Sequence, residues 1–425
     1  MDEKLLQYIW IHKFFATGEL KTVAGETITI KSFGTANPNS GPDYVDVLMK
    51  MNDALWAGCV ELHLKSSDWE RHGHQNDNAY SNVILHVVYE HDKNIYTRNG
   101  LLIPTLELKP LINPRLIETY RKYMDSSQEI VCQNQFCEVD SFRFFSWLDR
   151  LIIERLDDRT RQIERLLEKT NNHKEEVFYH HLAAAFGFGI NSFPFSLLAK
   201  SLPLQYLAKH KDNLLQIEAM LFGQADLLPE ISTDDYTELL RKEYSLLRKK
   251  FALHKLCNYS MWKSAKIYPS GFPSIRIAQF AALIHQSSSL LSKILAAEDI
   301  AKLTKMFNVR ASNYWTLHYK FGRKSNNVIE KSLGKTAVNS LLINTVFPFL
   351  YAYSQWDRNT ELQDKVVKFY ELLPFENNSI TRKYITLRPE LTNALHSQCL
   401  IQLYNHYCSL KQCLHCGIGL YLIGR

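Results

Sequence analysis

The hydrophobic positions change period partway along the chain. Up to about residue 112 they alternate in short runs broken by turn residues, and beyond it they recur at helical spacing. Residues 3–15 read as a short amphipathic helix burying Leu5, Ile9 and Phe14. Lys21 to Phe33 reads as a hairpin turning at Ala24-Gly25. Tyr44 to Met51 places Val45, Val47, Met49 and Met51 on one side. Asn52-Asp53-Ala54 is turn chemistry, and Leu55 to Lys65 runs back as the second arm of a hairpin. On that arm Val60, Leu62 and Leu64 face one way, so Glu61, His63 and Lys65 face the other. Residues 66–81, rich in Asp, Asn, His, Ser and Gly, read as a loop. Asn82 to Tyr89 is almost wholly apolar and reads as a central strand, with His86 inside it. Ile95 to Thr97 and Leu101 to Leu108 read as a further hairpin around Arg98-Asn99-Gly100.

Pro110, Asn113 and Pro114 then punctuate a boundary. Arg115 to Met124 is helical, and residues 141–170 form a long amphipathic helix. Its apolar stripe is Phe144, Trp147, Leu148, Leu151, Ile152 and Leu156, with Arg and Glu at i,i+4 spacing around it. Helical spacing continues to the end. The expected fold class is α+β: a β-rich, mostly antiparallel domain over 1–112, then an α-helical domain over 113–425.

Composition fits such a chain. It has 425 residues, 46% hydrophobic and 22% charged, which is ordinary for a soluble globular protein. No signal-peptide core opens the sequence and no run is long enough to span a bilayer, so the expected setting is the cytoplasm, with no membrane partner. There the eight cysteines read as thiols or ligands rather than disulfides. A formal net charge of +6 allows DNA or RNA as a partner without requiring it. Arg241-Lys242 and Arg248-Lys249-Lys250 lie about two helical turns apart. Lys320, Arg323 and Lys324 follow Tyr314, Trp315 and Tyr319, a basic and aromatic mixture suited to single strands. The same residues also suit an ordinary solvated face. The sequence leaves the oligomeric state open.

The densest chemistry lies between Asn37 and Asn82. Asp43 opens one strand and Glu61 faces it from the next, an arrangement that suits Mg²⁺ or Mn²⁺. His63 or Lys65 could orient water or balance developing charge. His72 and His74, on the following loop, could join Glu61 and His63 around Zn²⁺ or Mn²⁺. A second group closes the chain: Cys408, Cys413 and Cys416, the last two in C-x₂-C spacing. Residues available as a fourth ligand are Cys132, Cys137, Cys399, His406 and His415.

Pro42-Asp43, then Glu61-Leu62-His63-Leu64-Lys65, resembles the signature of PD-(D/E)xK nucleases, with His63 where that family has Lys. The resemblance implies that Asp43 and Glu61 hold metal, that Glu3 of the first helix assists, and that a helix follows the motif strand. One cysteine after this region and three near the C-terminus resemble the iron–sulfur staple of RecB-type nucleases, which implies Cys132 as the fourth ligand. N-x-x-S-G-P-D-Y, V-E-L-H-L-K-S-S-D-W-E-R-H-G-H, Y-S-N-V-I-L-H-V-V-Y, W-L-D-R-L-I-I-E-R-L and Y-C-S-L-K-Q-C-L-H-C-G-I-G together are similar to a full-length bacterial family of unknown function. The expected function is metal-dependent phosphodiester hydrolysis. The alternatives are a Zn²⁺ or Mn²⁺ hydrolase of a small molecule, and a non-catalytic nucleic-acid-binding or scaffold protein. The cysteine site would hold Zn²⁺ or an iron–sulfur cluster.

Overall fold

A computed structural model describes residues 1–287 and 289–425. The chain divides into two compact units, 1–147 with 403–425, and 148–402. The boundary expected near residue 112 falls inside the first unit.

The first unit is built on a seven-stranded mixed sheet. Helix α1 (Glu3–His12) precedes it. It is N-capped by the Asp2 side chain and closed by Lys13 in the left-handed conformation. The strands are β1 (Leu20–Lys21), β2 (Thr27–Ser32), β3 (Thr35–Ala36), β4 (Tyr44–Met51), β5 (Ala54–Lys65), β6 (Val83–Glu90) and β7 (Thr105–Glu107). Their order is β1-β2-β4-β5-β6-β7, with β3 on β4. The hairpins β1–β2 and β4–β5 form as their alternation requires. Strand β6 lies parallel to β5, and β7 parallel to β6. The hairpin expected over 95–108 shrinks to one antiparallel bridge, Tyr96 with Leu102, before the chain turns into the parallel strand β7.

Two local departures shape the site. The β4–β5 register slips by one residue between Tyr44 and Val47, with Asp46 at φ 59°. This bulge changes the strand's parity, so Tyr44 joins Val47, Met49 and Met51 in the core and Val45 does not. The stretch read as a loop over 66–81 carries helix α2 (Asp68–Arg71) and two short 3₁₀ turns, His74–Asn76 and Asn78–Tyr80. A parallel β5–β6 pair needs such a crossover. Trp69 of α2, 1% exposed, packs with Val83, Ile95 and Ile103 and pins the crossover to the sheet.

Helix α3 (Pro114–Asp125) follows, and α4 (Ser141–Lys169) starts in the first unit and runs into the second. The six apolar-stripe residues read from its sequence are all buried. The second unit is almost entirely helical. It continues with α5 (Lys174–Phe186), α6 (Ser192–Ser201), α7 (Leu204–Ala208), α8 (Leu214–Gln224) and α9 (Asp235–Lys250). Among the described residues, no helix is long and apolar enough to cross a membrane. The α+β class holds: a mixed sheet first, helices after it.

Candidate metal centre

Strand β5 is buried on both faces in its second half, because the crossover covers the face that alternation assigns to polar residues. Glu61 is 5% and His63 1% exposed. Two charges' worth of polar chemistry therefore sits in a low-dielectric setting and must be satisfied locally.

Glu61 is the centre of the arrangement. Its Oε2 accepts from the Asp43 backbone N–H at 2.9 Å. Asp43 in turn accepts from Leu62 N–H at 3.0 Å and from Gln7 Nε2 of α1 at 2.8 Å. These bonds lock the ends of β4 and β5 and hold both carboxyl groups together. Glu3, one turn before Gln7 on α1, adds its charge to both. The other oxygen, Oε1, faces imidazoles: His74 Nε2 at 3.3 Å and His63 Nε2 at 3.6 Å. His63 Nε2 also lies 3.0 Å from His72 Nδ1. The ligating nitrogens of His63, His72 and His74 all fall within 4.8 Å of one another.

Further rings fix these. His63 Nδ1 meets His86 Nε2 at 2.8 Å, with His86 fully buried on β6. His74 stacks on Tyr80, centroids 3.9 Å apart, and meets the edge of Trp69 at 5.3 Å. His74 Nε2 is buried without a hydrogen bond, although Glu61 is beside it.

Burial pushes Glu61 up to about 8, with the Asp43 charge adding to the effect. Burial also raises Asp43, against the Leu62 and Gln7 bonds. It drives His63 down to about 3, helped by His74 and His72, and it lowers His74 and, further, His86. His63, His74 and His86 are thus held neutral, and a neutral imidazole is the form that offers a lone pair to a metal. A tetrahedral ion with ligand bonds of about 2.0–2.1 Å sets its ligand atoms about 3.3 Å apart. Three contacts come near that edge, His63–His72 at 3.0 Å, Glu61–His74 at 3.3 Å and Glu61–His63 at 3.6 Å, while the three histidine nitrogens spread over up to 4.8 Å. His86 then occupies the outer position that orients a metal-bound histidine through its second nitrogen. The donor set fits a divalent cation.

Of the residues named from sequence, Asp43, Glu61, His63, His72 and His74 are brought together. Lys65 stands further along β5, exposed, with its ammonium acting on Asp92. Gln7 was not foreseen. Its position one turn after Glu3 on a helix that already carried a candidate acid was the available signal.

The four cysteines Cys132, Cys408, Cys413 and Cys416 all belong to the first unit. They group closely enough that Cys408, Cys416 and Cys413 each push the Cys132 thiol up, after burial. Cys137 is exposed. Cys399 lies in the second unit, where its thiol donates to Leu148 O at 3.2 Å.

The basic residues of the second unit divide. Arg241 donates to Pro229 O at 2.8 Å and Lys242 pairs with Glu238 at 2.6 Å, both at the middle of α9. Arg248 and Lys249 are exposed at its end. Lys320 lies over the Phe272 ring, 5.2 Å from its centroid, and Arg323 is exposed. The aromatic side of that mixture is engaged inside the unit. Trp315 is fully buried, and Tyr314 stacks on His318 at 4.0 Å and donates to Asp234 at 2.7 Å, so neither ring of that mixture is presented to solvent for stacking.

The model of a family described as "Protein of unknown function (DUF2851)" matches residues 3–379. No curated protein and no solved structure matches the chain.

Proposed function

The chain belongs to the DUF2851 family of unknown function, and from the site itself we propose a metal-dependent phosphodiester hydrolase, a nuclease centred on Glu61. The observation that carries this reading is the two-sided placement of Glu61. One oxygen is tied to the Asp43 backbone, beside the half-buried Asp43 carboxyl and Glu3. The other faces His63 and His74. Carboxylates paired in this way suit Mg²⁺ or Mn²⁺, and the imidazoles beside them suit Mn²⁺ or Zn²⁺. Mn²⁺ is the ion that both halves accept.

A bound divalent ion supplies Lewis-acid charge for a phosphate oxygen and lowers the pKa of a water. The chain's own groups do the rest. Glu61, with Asp43 or with the histidines, would hold the ion. His86 fixes the His63 ring. His72 is the least buried of the three histidines. His63 stands where the nuclease signature has Lys, so this position supplies an imidazole rather than an ammonium. A hydrolase of a small molecule is the second reading. The three grouped histidine nitrogens, with Glu61 beside two of them, favour it, because imidazoles with a carboxylate suit Zn²⁺.

The test is cleavage of labelled single- and double-stranded DNA and RNA with Mg²⁺, Mn²⁺ or Zn²⁺, comparing wild type with Glu61→Ala. Cleavage with Mg²⁺ or Mn²⁺ that falls at least about 100-fold in the variant supports the nuclease. Folded, metal-loaded wild type that cleaves no nucleic acid overturns it and leaves the small-molecule hydrolase.

A further inference from the structure

The second unit contains a cavity of about 690 Å³ that the hydrolytic site does not use. It lies among α5, α7 and two helices that follow α9, namely α10 (Pro273–Gln286) and α11 (Leu290–Leu295). Its volume falls in the range of about 300–1,000 Å³ that takes a drug-sized molecule. Its floor is Phe178, Tyr179, Leu182, Phe280, Leu283 and Leu291, all buried. Neighbouring rings hold the aromatic ones in place. Phe178 meets Phe349 edge-on with centroids 4.9 Å apart, and Tyr179 stacks on Phe280 at 5.9 Å. The Tyr179 hydroxyl donates to Leu202 O at 3.0 Å and so needs no partner in the cavity. The floor is therefore apolar and set in shape.

The rim is exposed and charged, with Glu175, Gln205, Ala208 and Lys211 on it. Glu175 and Glu176 lie in the first turn of α5, whose positive end answers negative charge. Glu176 is committed further: both its oxygens accept from Leu204 N–H at 3.2 Å, and Oε1 lies 3.3 Å from His180 Nε2. Lys211 is the single Lys or Arg among the lining residues. His285 of α10 donates to its carbonyl and fixes its backbone, and among the described residues no acceptor takes its ammonium. The charge left unanswered at this rim is positive.

We propose that this cavity binds a small amphipathic carboxylate, its alkyl chain on the apolar floor and its head paired with Lys211. The chain leaves water for a surface already shaped to receive it, and the floor gains contacts on its cavity side. A carboxylate head is matched by the Lys211 ammonium. An ammonium head would meet like charge there and find Glu176 already bonded. A neutral head would leave Lys211 unanswered. Such a ligand is chemically unlike a phosphodiester, so the cavity gives the chain a second kind of ligand.

The experiment is isothermal titration calorimetry of the full chain with decanoate, decyltrimethylammonium and decanol, each kept below the concentration at which it aggregates. Decanoate is expected to bind the most tightly of the three. Lys211→Ala is expected to weaken decanoate about fivefold, the scale of an exposed ion pair, and to leave decanol unchanged. Ala208→Trp fills the mouth from an exposed position and is expected to abolish decanoate binding. If Ala208→Trp fails to fold by circular dichroism, Gln205→Trp, also exposed on the rim, gives the same readout. Decanoate binding no more tightly than the other two probes overturns the assignment of the head, as does an unchanged affinity in Lys211→Ala. Unchanged decanoate binding in the folded Trp variant overturns the cavity as the site, and so does a wild type that binds none of the probes. Failure here would leave the hydrolytic site untouched, since the two sites share no residue.

Discussion

Glu218 shows what a buried carboxyl costs when no cation is available to it. It is 1% exposed in α8 and accepts from the Tyr236 hydroxyl at 2.8 Å. Burial pushes it from 4.5 up to about 7. The folded chain therefore binds a proton that the unfolded chain releases between these values. The sign follows: no penalty exists below pH 4.5, stability falls as pH rises through the window, and the loss is complete above about 7. Glu218→Gln keeps the acceptor and removes the titration. Between about pH 5 and pH 8, wild type is expected to lose up to about 3 kcal/mol more than the variant, read by denaturant unfolding. Parallel pH profiles would place the proton elsewhere. More of the candidate site was legible in the sequence than this carboxyl. Glu61 and His63 were legible because strand alternation fixes which side chains share a face, and Asp43 because it opens the neighbouring strand. Glu218 was not, since a single acid in a helix gives no sign of the aromatic residues that will surround it. Lys65 failed for the opposite reason: alternation gives its face correctly but not where the cover from the crossover ends.

At the scale of elements, the sequence was most informative where periodicity was long. The stripe of α4 is buried as spaced. Short elements depended on pairing that no local pattern encodes. The bulge at Asp46 moved Tyr44 into the core, and the loop of residues 66–81 gained α2 because β6 returns parallel to β5. Close packing between helices is another tertiary fact of this kind. Gly223 of α8 faces Tyr244 of α9, and a Cβ there would meet the ring at 2.2 Å. An alanine in a helix ordinarily gains about 1 kcal/mol over glycine. Overpacking costs about 1–3 kcal/mol. The Tyr244 ring cannot yield freely, because its hydroxyl accepts from Gln224 at 3.0 Å. Gly223→Ala is therefore expected to destabilise the chain by about 1–2 kcal/mol in urea unfolding. A stabilising result would show that the ring moves at no cost.

For the whole molecule, charge is the property that bears on a nucleic-acid substrate, and the net +6 is unevenly committed. Arg241 and Lys242 are bonded within or beside α9, to Pro229 O and Glu238. Arg248 and Lys249 reach solvent at the same helix's end, where cations also favour the helix dipole. A phosphate backbone bound by free cations releases counterions, and the logarithm of affinity then falls with the logarithm of salt by about 0.9 per phosphate on a duplex. The double substitution Arg248→Ala/Lys249→Ala is expected to reduce that slope by about 2 in fluorescence-anisotropy titrations with duplex DNA. Arg241→Ala should leave the slope unchanged and act on stability instead, by removing a bond to a carbonyl. An equal slope in the double variant and wild type would take α9 out of any phosphate contact. Binding, if present, would then have to come from cations elsewhere on the chain, and the hydrolase reading would rest on the metal centre alone.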